Sequence, residues 1–252
     1  MRLGVIGAGN MASALARGIG EPVLVYDVDQ AKASALAEAV GGEAVDSNAE
    51  LADRADVLVL CHKPKQLEEV AAEVGGHAQV VVSILAATTT ERVSAAYPGA
   101  SIYRFIPNMP TEVRRGVLCY VAGPGASAGP EDEILTLMGR AGTVIRLDDE
   151  PLIEPAMAVM SCGPAFIALV AESFAEAGAA HGLDPDDALR MVVETMGGTA
   201  DYLALHDYDA PGLRARVATP GGVTEKGLIT LEERGLRDVC RAAVDTVVDA
   251  TR

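Results

Sequence analysis

The chain opens on Gly4-Val5-Ile6-Gly7-Ala8-Gly9-Asn10-Met11-Ala12, a GxGxxA pattern between a short branched apolar run and an alanine-rich helical one. Each small residue has a task in such a pattern. Gly7 permits the tight turn, Gly9 lets the backbone approach a pyrophosphate, and Ala12 lets helix and strand pack closely. The free N–H groups at the start of the helix, around Asn10 and Met11, would receive the pyrophosphate. The plain alternative is a tight strand–helix turn with no ligand. An acid about 20 residues further on favours the dinucleotide. That acid is Asp27, at the end of the second apolar run. A carboxylate there accepts both ribose hydroxyls and repels a 2′-phosphate, so the expected cofactor is NAD(P)H, leaning to NADH. Asp29, or a simple turn role for Asp27-Val28-Asp29, stays open.

Residues 3–6, 23–26, 56–61, 80–85, 101–106, 117–122 and 143–146 read as strands, most of them apolar on both faces. Helical stretches at 7–20, 30–40 and 66–74 separate several of them. Runs of this kind belong to a parallel sheet covered on both sides. The expected first domain is a doubly wound, Rossmann-type α/β domain over residues 1–150. From Pro151 no convincing strand follows, only helical stretches at 152–181, 184–205 and 224–249. The second stretch has clear start chemistry in Asp184, Pro185, Asp186 and Asp187. Pro164 should break the first near Gly163. The second domain, 151–252, is therefore expected to be all-helical, with Met157, Met160, Ile167, Val170 and Phe174 in its core or a dimer interface.

The net charge of −16, from 36 acidic and 20 basic residues, makes nucleic acid and membrane surfaces poor partners. It does not exclude an anionic small substrate. Cys61, Cys119, Cys162 and Cys240 have no metal-ligand or CxxC spacing and read as buried hydrophobes or free thiols. Four scattered histidines give no metal site. No signal peptide and no bilayer-spanning apolar run stand out, so a cytoplasmic protein is expected.

Two loops that follow strands should lie at the carboxyl edge of the sheet, where ligands bind in open α/β folds. One is Cys61-His62-Lys63-Pro64 and the other Leu85-Ala86-Ala87-Thr88. His62 has no evident carboxylate partner, which favours a structural histidine over a catalytic one. Lys63 could neutralise cofactor charge or be an ordinary loop lysine.

Three further segments complete a pattern: Arg104-Phe105-Ile106-Pro107-Asn108-Met109-Pro110, Ser161-Cys162-Gly163-Pro164-Ala165-Phe166 and Thr219-Pro220-Gly221-Gly222-Val223-Thr224. With the opening glycine turn and His62-Lys63-Pro64, they resemble the pyrroline-5-carboxylate reductase family in order and spacing along essentially the whole chain. The last segment is the most specific. The resemblance implies reduction of a cyclic imine to L-proline, the last step of proline biosynthesis, by NAD(P)H. It places the cofactor against Gly7, Gly9, Asn10, Met11, Ala12, Asp27, Asn48, His62, Lys63, Pro64, Ala86 and Ala87. The substrate falls to Asn108, Thr219, Gly221, Gly222, Val223 and Thr224, with Thr224 on the substrate nitrogen. It further implies a homo-oligomer, an intertwined dimer or a ring of dimers, whose partner helices complete the active site. The sequence departs from the family pattern at His62, Ala87, Met109 and Val223.

The residues support the same chemistry. Pro220-Gly221-Gly222 carries little side chain and leads into a helix near Thr224, so successive N–H groups could cradle a carboxylate. A glycine loop that merely joins helices is the plain alternative. Hydride chemistry belongs to the cofactor, and Thr224 or a water it holds could deliver a proton. Two rivals remain: a related imine or keto-acid reductase, and a non-catalytic dinucleotide-binding protein on the same fold.

Overall fold

The computed structural model describes residues 1–251. The chain divides into two compact units, residues 1–164 and 165–250. The first is built on one eight-stranded sheet, in the order β3-β2-β1-β4-β5-β6-β7-β8. The strands are β1 (Leu3–Ile6), β2 (Leu24–Tyr26), β3 (Glu43–Ala44), β4 (Val57–Leu60), β5 (Val80–Ser83), β6 (Ser101–Ile106), β7 (Gly116–Ala122) and β8 (Gly142–Arg146). Its helices are α1 (Asn10–Ile19), α2 (Gln30–Val40), α3 (Asn48–Arg54), α4 (Leu67–Val74), α5 (Thr90–Ala96), α6 (Glu131–Met138) and the short α7 (Ile153–Ala156).

Strands β1, β4 and β5 are buried at every residue. Alternate side chains serve the two faces. Val57 and Val59 join one core with Leu15, Ile19, Leu36 and Ile134, while Leu58 and Leu60 join the other with Leu51, Leu67 and Val93. This is the period of two expected of a strand covered on both sides.

The sheet is mixed, which corrects the expectation of a parallel one. β6 and β7 pair antiparallel, with Phe105 opposite Tyr120, and β8 then runs parallel to β7. The reason is loop length. Only residues 107–115 join β6 to β7, fewer than the dozen or more that a parallel crossover needs. They form a tight 3-10 turn (Met109–Val113) closed by Arg114 at φ +60°.

Past β8, Pro164 has the expected effect. A π-turn (Met157–Ser161) precedes α8 (Gly163–Ala180), and the Cys162 N–H donates to the Met157 carbonyl at 3.0 Å. Proline has no N–H for the carbonyl four residues back, here that of Met160. The Asn108 side chain supplies that bond instead, its Nδ2 donating to Met160 O at 2.9 Å.

The second unit contains most of α8, then α9 (Pro185–Leu205), α10 (Ala210–Val217), α11 (Val223–Glu233) and α12 (Leu236–Ala250). The expected single helix over 224–249 is two, parted at Gly235, whose φ is +78°. Asp184 caps α9, accepting from the N–H groups of Asp186 and Asp187. Buried residues within 165–250 are few: Ala171, Ala175 and Ala188. Ile167, Leu169, Phe174, Met191 and Val239 are more than half exposed. The helical run from Glu150 to Ala180 is long and apolar enough to cross a membrane by length and composition alone, contrary to expectation. The stretch reads as helical in the sequence, but Glu150, Glu154, Glu172 and Glu176 interrupt its apolar run and hide its length.

Candidate cofactor cleft and substrate loop

The GxGxxA turn lies between β1 and α1, tied to its neighbours by the main chain. Gly7 donates to Tyr26 O at 2.8 Å, and Cys61 donates to Ile6 O at 2.8 Å. Gly7 adopts φ +99°, and a Cβ there would stand 2.8 Å from the Cys61 carbonyl carbon. Glycine is therefore obligatory. Gly9 is different: its φ is −77°, and a Cβ would meet no protein atom within 4 Å. Nothing in the fold demands glycine at that position, which leaves room for a ligand to approach the backbone. Gly9 caps α1 without a side-chain hydrogen bond, and the first turn holds no acid. The start of α1 is thus open to an anion.

Beside this turn lies a cleft of about 420 Å³. Gly7, Gly9, Asp27, Asn48, His62 and Lys63 line it, bringing together six of the residues expected to hold the cofactor. Asn10 and Met11 open α1 beside it, and Ala12 is buried beneath the turn. Pro64 starts the 3-10 turn Pro64–Gln66. Ala86 and Ala87 are exposed beyond β5, and neither lines the cleft. Ala87 is at φ +50°, a left-handed conformation that glycine adopts without steric cost. The cleft also contains Tyr26, Val28, Asp29, Lys32, Lys65 and Gln66. Lys32 escaped the sequence reading because it lies one turn into α2, outside any motif.

Asp27 ends β2 with both carboxylate oxygens engaged. Oδ2 accepts the Ala8 N–H at 2.7 Å, and Oδ1 accepts the Asp29 N–H at 2.9 Å. Asp29 has a separate duty as the cap of α2, accepting from Ala31 N–H at 3.2 Å. Asn48 is 3% exposed; its Nδ2 donates to Glu73 at 2.6 Å, while its Oδ1 has no protein partner. His62 holds its Nδ1 3.0 Å from Lys63 O, and its Nε2 is likewise unpartnered. Burial lowers the proton affinity of the imidazole, more than offsetting the bond to Lys63 O. A dinucleotide suits these features. The open start of α1 suits a phosphate, and the unpartnered Asn48 Oδ1 and His62 Nε2 suit donors such as ribose hydroxyls or an adenine amino group.

Asn108 lies within the first unit, 6% exposed, with its amide committed at both ends. Besides donating to Met160 O, it accepts the Val117 N–H at Oδ1, 2.9 Å away. A ligand contact at Asn108 would have to use its second N–H or the remaining lone pair of Oδ1. Ser161 adds a bond to Pro107 O at 3.2 Å. Below this loop Arg104, 3% exposed, pairs with Glu150 at 2.7 Å, and Glu150 also accepts from the Thr90 N–H and hydroxyl. The cysteines are free; burial pushes the Cys61 thiol up to about 12, leaving it inert near neutrality. No metal-binding cluster of acidic, His and Cys side chains occurs among the described residues.

In the second unit, Thr219 to Gly222 form the turn before α11, whose first residues are Val223 and Thr224. Gly221 adopts φ +76°, and its N–H donates to Glu225 Oε2 at 2.7 Å. The Gly222 N–H donates to Thr219 O at 2.9 Å. Two of the N–H groups expected in a carboxylate cradle are therefore spent. Gly222 caps α11 with no side-chain hydrogen bond, leaving the first-turn N–H groups of Val223 and Thr224 open. Val223, Thr224 and Thr219 are exposed.

A family model described as pyrroline-5-carboxylate reductase dimerisation matches residues 150–252. Another, described as NADP oxidoreductase, coenzyme F420-dependent, matches residues 2–87. The pyrroline-5-carboxylate reductase of Aquifex aeolicus is 31% identical, over 94% of this chain and 91% of its own. The reductase of Synechocystis sp. is 30% identical, over 97% of this chain and 94% of its own. Among solved structures, a pyrroline-5-carboxylate reductase from Coxiella burnetii superposes with a TM-score of 0.89 at 28% identity, covering 99% of this chain and 97% of that one. The Plasmodium falciparum pyrroline carboxylate reductase with NADP bound gives a TM-score of 0.87 at 24% identity, covering 100% and 97%. With its glycine turn, acid-ended β2 and Thr219–Thr224 loop set in a chain matched nearly end to end, the protein belongs to the pyrroline-5-carboxylate reductase family.

Proposed function

We propose that the chain reduces pyrroline-5-carboxylate to L-proline with NAD(P)H. The observation that carries this reading is relatedness at 30% or more to named reductases over nearly the full chain, in a protein whose cleft suits a dinucleotide. When bound, NAD(P)H supplies the hydride; the protein supplies position and electrostatics.

The working boundary we adopt is residues 1–150 for the cofactor and 151–252 for the substrate and for self-association. The start of α1 receives the pyrophosphate, and Gly7, Gly9, Asn10, Met11 and Ala12 shape that contact. Asp27, Asn48 and His62 serve the adenosine end and Lys63 the pyrophosphate, with Pro64 fixing their loop. Ala86 and Ala87 lie toward the nicotinamide. The open N–H groups of Val223 and Thr224 hold the substrate carboxylate, on a turn shaped by Thr219, Gly221 and Gly222. The Thr224 hydroxyl donates to the ring nitrogen. No strong acid is required if the iminium form binds. Asn108 keeps the π-turn in place with one amide N–H to spare for substrate.

The exposed apolar helices of the second unit support a homo-oligomer; we read it as a dimer or a ring of dimers and place it in the cytoplasm. Covering those helices with a second copy is also an alternative to the membrane, which the high net negative charge disfavours. The test is loss of NADH or NADPH absorbance with pyrroline-5-carboxylate, and proline identified among the products. Cofactor binding without turnover would instead support the non-catalytic or related-imine alternatives.

A further inference from the structure

We propose that the chain selects NADH over NADPH because Asp27 is tethered at both carboxylate oxygens and cannot swing away from a 2′-phosphate. The inference rests on the dinucleotide reading of the cleft and not on the identity of the substrate.

An acid at the end of β2 discriminates only as far as it stays in place. A side chain free to rotate could turn outward and admit the phosphate. Asp27 is held by the Ala8 N–H at 2.7 Å on one oxygen and by the Asp29 N–H at 2.9 Å on the other. The first belongs to the glycine turn itself, and Ala8 is only 7% exposed. Rotating Asp27 outward would strand that N–H in a buried turn, at a cost comparable to a lost charged hydrogen bond. Each oxygen keeps a second lone pair, so the tethered carboxylate can still accept both hydroxyls of a free ribose diol.

The unspent polar atoms around it point the same way. Asn48 and His62 line the same cleft, and Asn48 Oδ1 and His62 Nε2 are buried there without partners. Lys63 O can only accept, so the His62 proton sits on Nδ1 and Nε2 is left as an acceptor. Hydroxyls and an adenine amino group donate to such atoms. A 2′-phosphate offers acceptors and negative charge. No arginine lines the cleft among the described residues. Lys32, the cation beside this corner, stands 3.5 Å from Asp29 Oδ2 and already answers that carboxylate. Lys63 and Lys65, on the loop after β4, remain for the pyrophosphate.

The experiment is a titration of the full-length protein with NADH and, separately, NADPH at one ionic strength, without imine, following nicotinamide fluorescence. NADH should bind about tenfold to a hundredfold more tightly, the range of one or two charged hydrogen bonds. Asp27→Ser should bring the two constants within about threefold of each other, mainly by gain of NADPH binding. Asp27→Asn, closer in shape, should move the ratio the same way if the serine variant fails to fold. Lys32→Ala should leave the ratio within about twofold of the wild-type value. Equal or tighter NADPH binding by the wild type overturns the proposal. So does an unchanged ratio in a folded Asp27 variant, or a selective loss of NADPH binding in Lys32→Ala. If neither cofactor binds, the dinucleotide reading falls with it. If NADH binds selectively but pyrroline-5-carboxylate is not reduced, the substrate reading fails and the preference stands.

Discussion

The two glycine turns of this chain are held in opposite ways. Gly7 is buried at φ +99° against the Cys61 peptide, inside a unit whose β1, β4 and β5 are covered on both faces. Gly221 also has a positive φ, +76°, yet a Cβ there would meet nothing within 4 Å. Its turn is fixed by two local bonds, to Glu225 and Thr219, in a unit that buries little more than three alanines. The Gly7 turn, proposed for the cofactor, is complete within its own fold. The Gly221 turn, proposed for the substrate, is shaped locally but not covered, as suits a chain that self-associates.

The largest effect should come from the complete side. Gly7→Val puts a branched side chain into the Cys61 carbonyl at a left-handed position, costing roughly 3 kcal/mol or more. Cofactor binding should vanish, and the denaturant midpoint should fall. Gly221→Ala, at a similar φ in open space, should cost only about 1–2 kcal/mol. Equal losses in the two variants would erase the contrast between the turns.

Thr224→Ala sharpens it from the other side. Turnover should fall about a hundredfold while the NADH dissociation constant stays within about twofold. A parallel loss of both, or no loss, would remove Thr224 from the chemistry. Phe174, half exposed on α8, tests the lack of cover. Phe174→Glu should weaken self-association by at least about tenfold, read by sedimentation, with cofactor affinity retained. An unchanged oligomer would move the interface elsewhere.

Much of the first unit was legible because a doubly covered sheet writes itself as continuous apolar runs: Val57–Leu60 has no polar residue to misplace. β3 was missed because two residues at a sheet edge, one exposed, carry no period. α3 and α5 were missed despite real signals. Ser47 accepts from Glu50 N–H and Thr89 from Arg92 N–H, and both caps stood in the sequence. The antiparallel β7 was written in the short loop after β6 rather than in any periodicity. In the candidate site, Gly7, Gly9 and Asp27 were legible because their chemistry is local. The commitment of Asn108 to Met160 O was not, since it joins residues 52 apart. It follows from Pro164 only once the π-turn is seen.

Smaller effects probe how finished the first unit is. Burial works to raise the Glu150 carboxyl, but hydrogen bonds from Thr90 and Arg104 outweigh it and hold it below its ordinary value of 4.5. A depressed folded value means that this contribution is whole above 4.5 and is lost as the pH falls through the lower folded value. Wild type should therefore lose more stability than Glu150→Gln between about pH 5 and about pH 3, measured by urea midpoints. Parallel curves would show that the carboxyl does not report folding. Smallest of all, Ala87→Gly relieves a left-handed alanine and should add about 0.5–1 kcal/mol, seen as a rise in Tm.

The most direct test is isotopic: the protein is given NADH deuterated at the transferred position of nicotinamide C4, with pyrroline-5-carboxylate. Proline should carry one deuterium on the ring carbon that was double-bonded to nitrogen. Proline without that label, or no proline from a protein that binds NADH, would contradict hydride transfer to the imine.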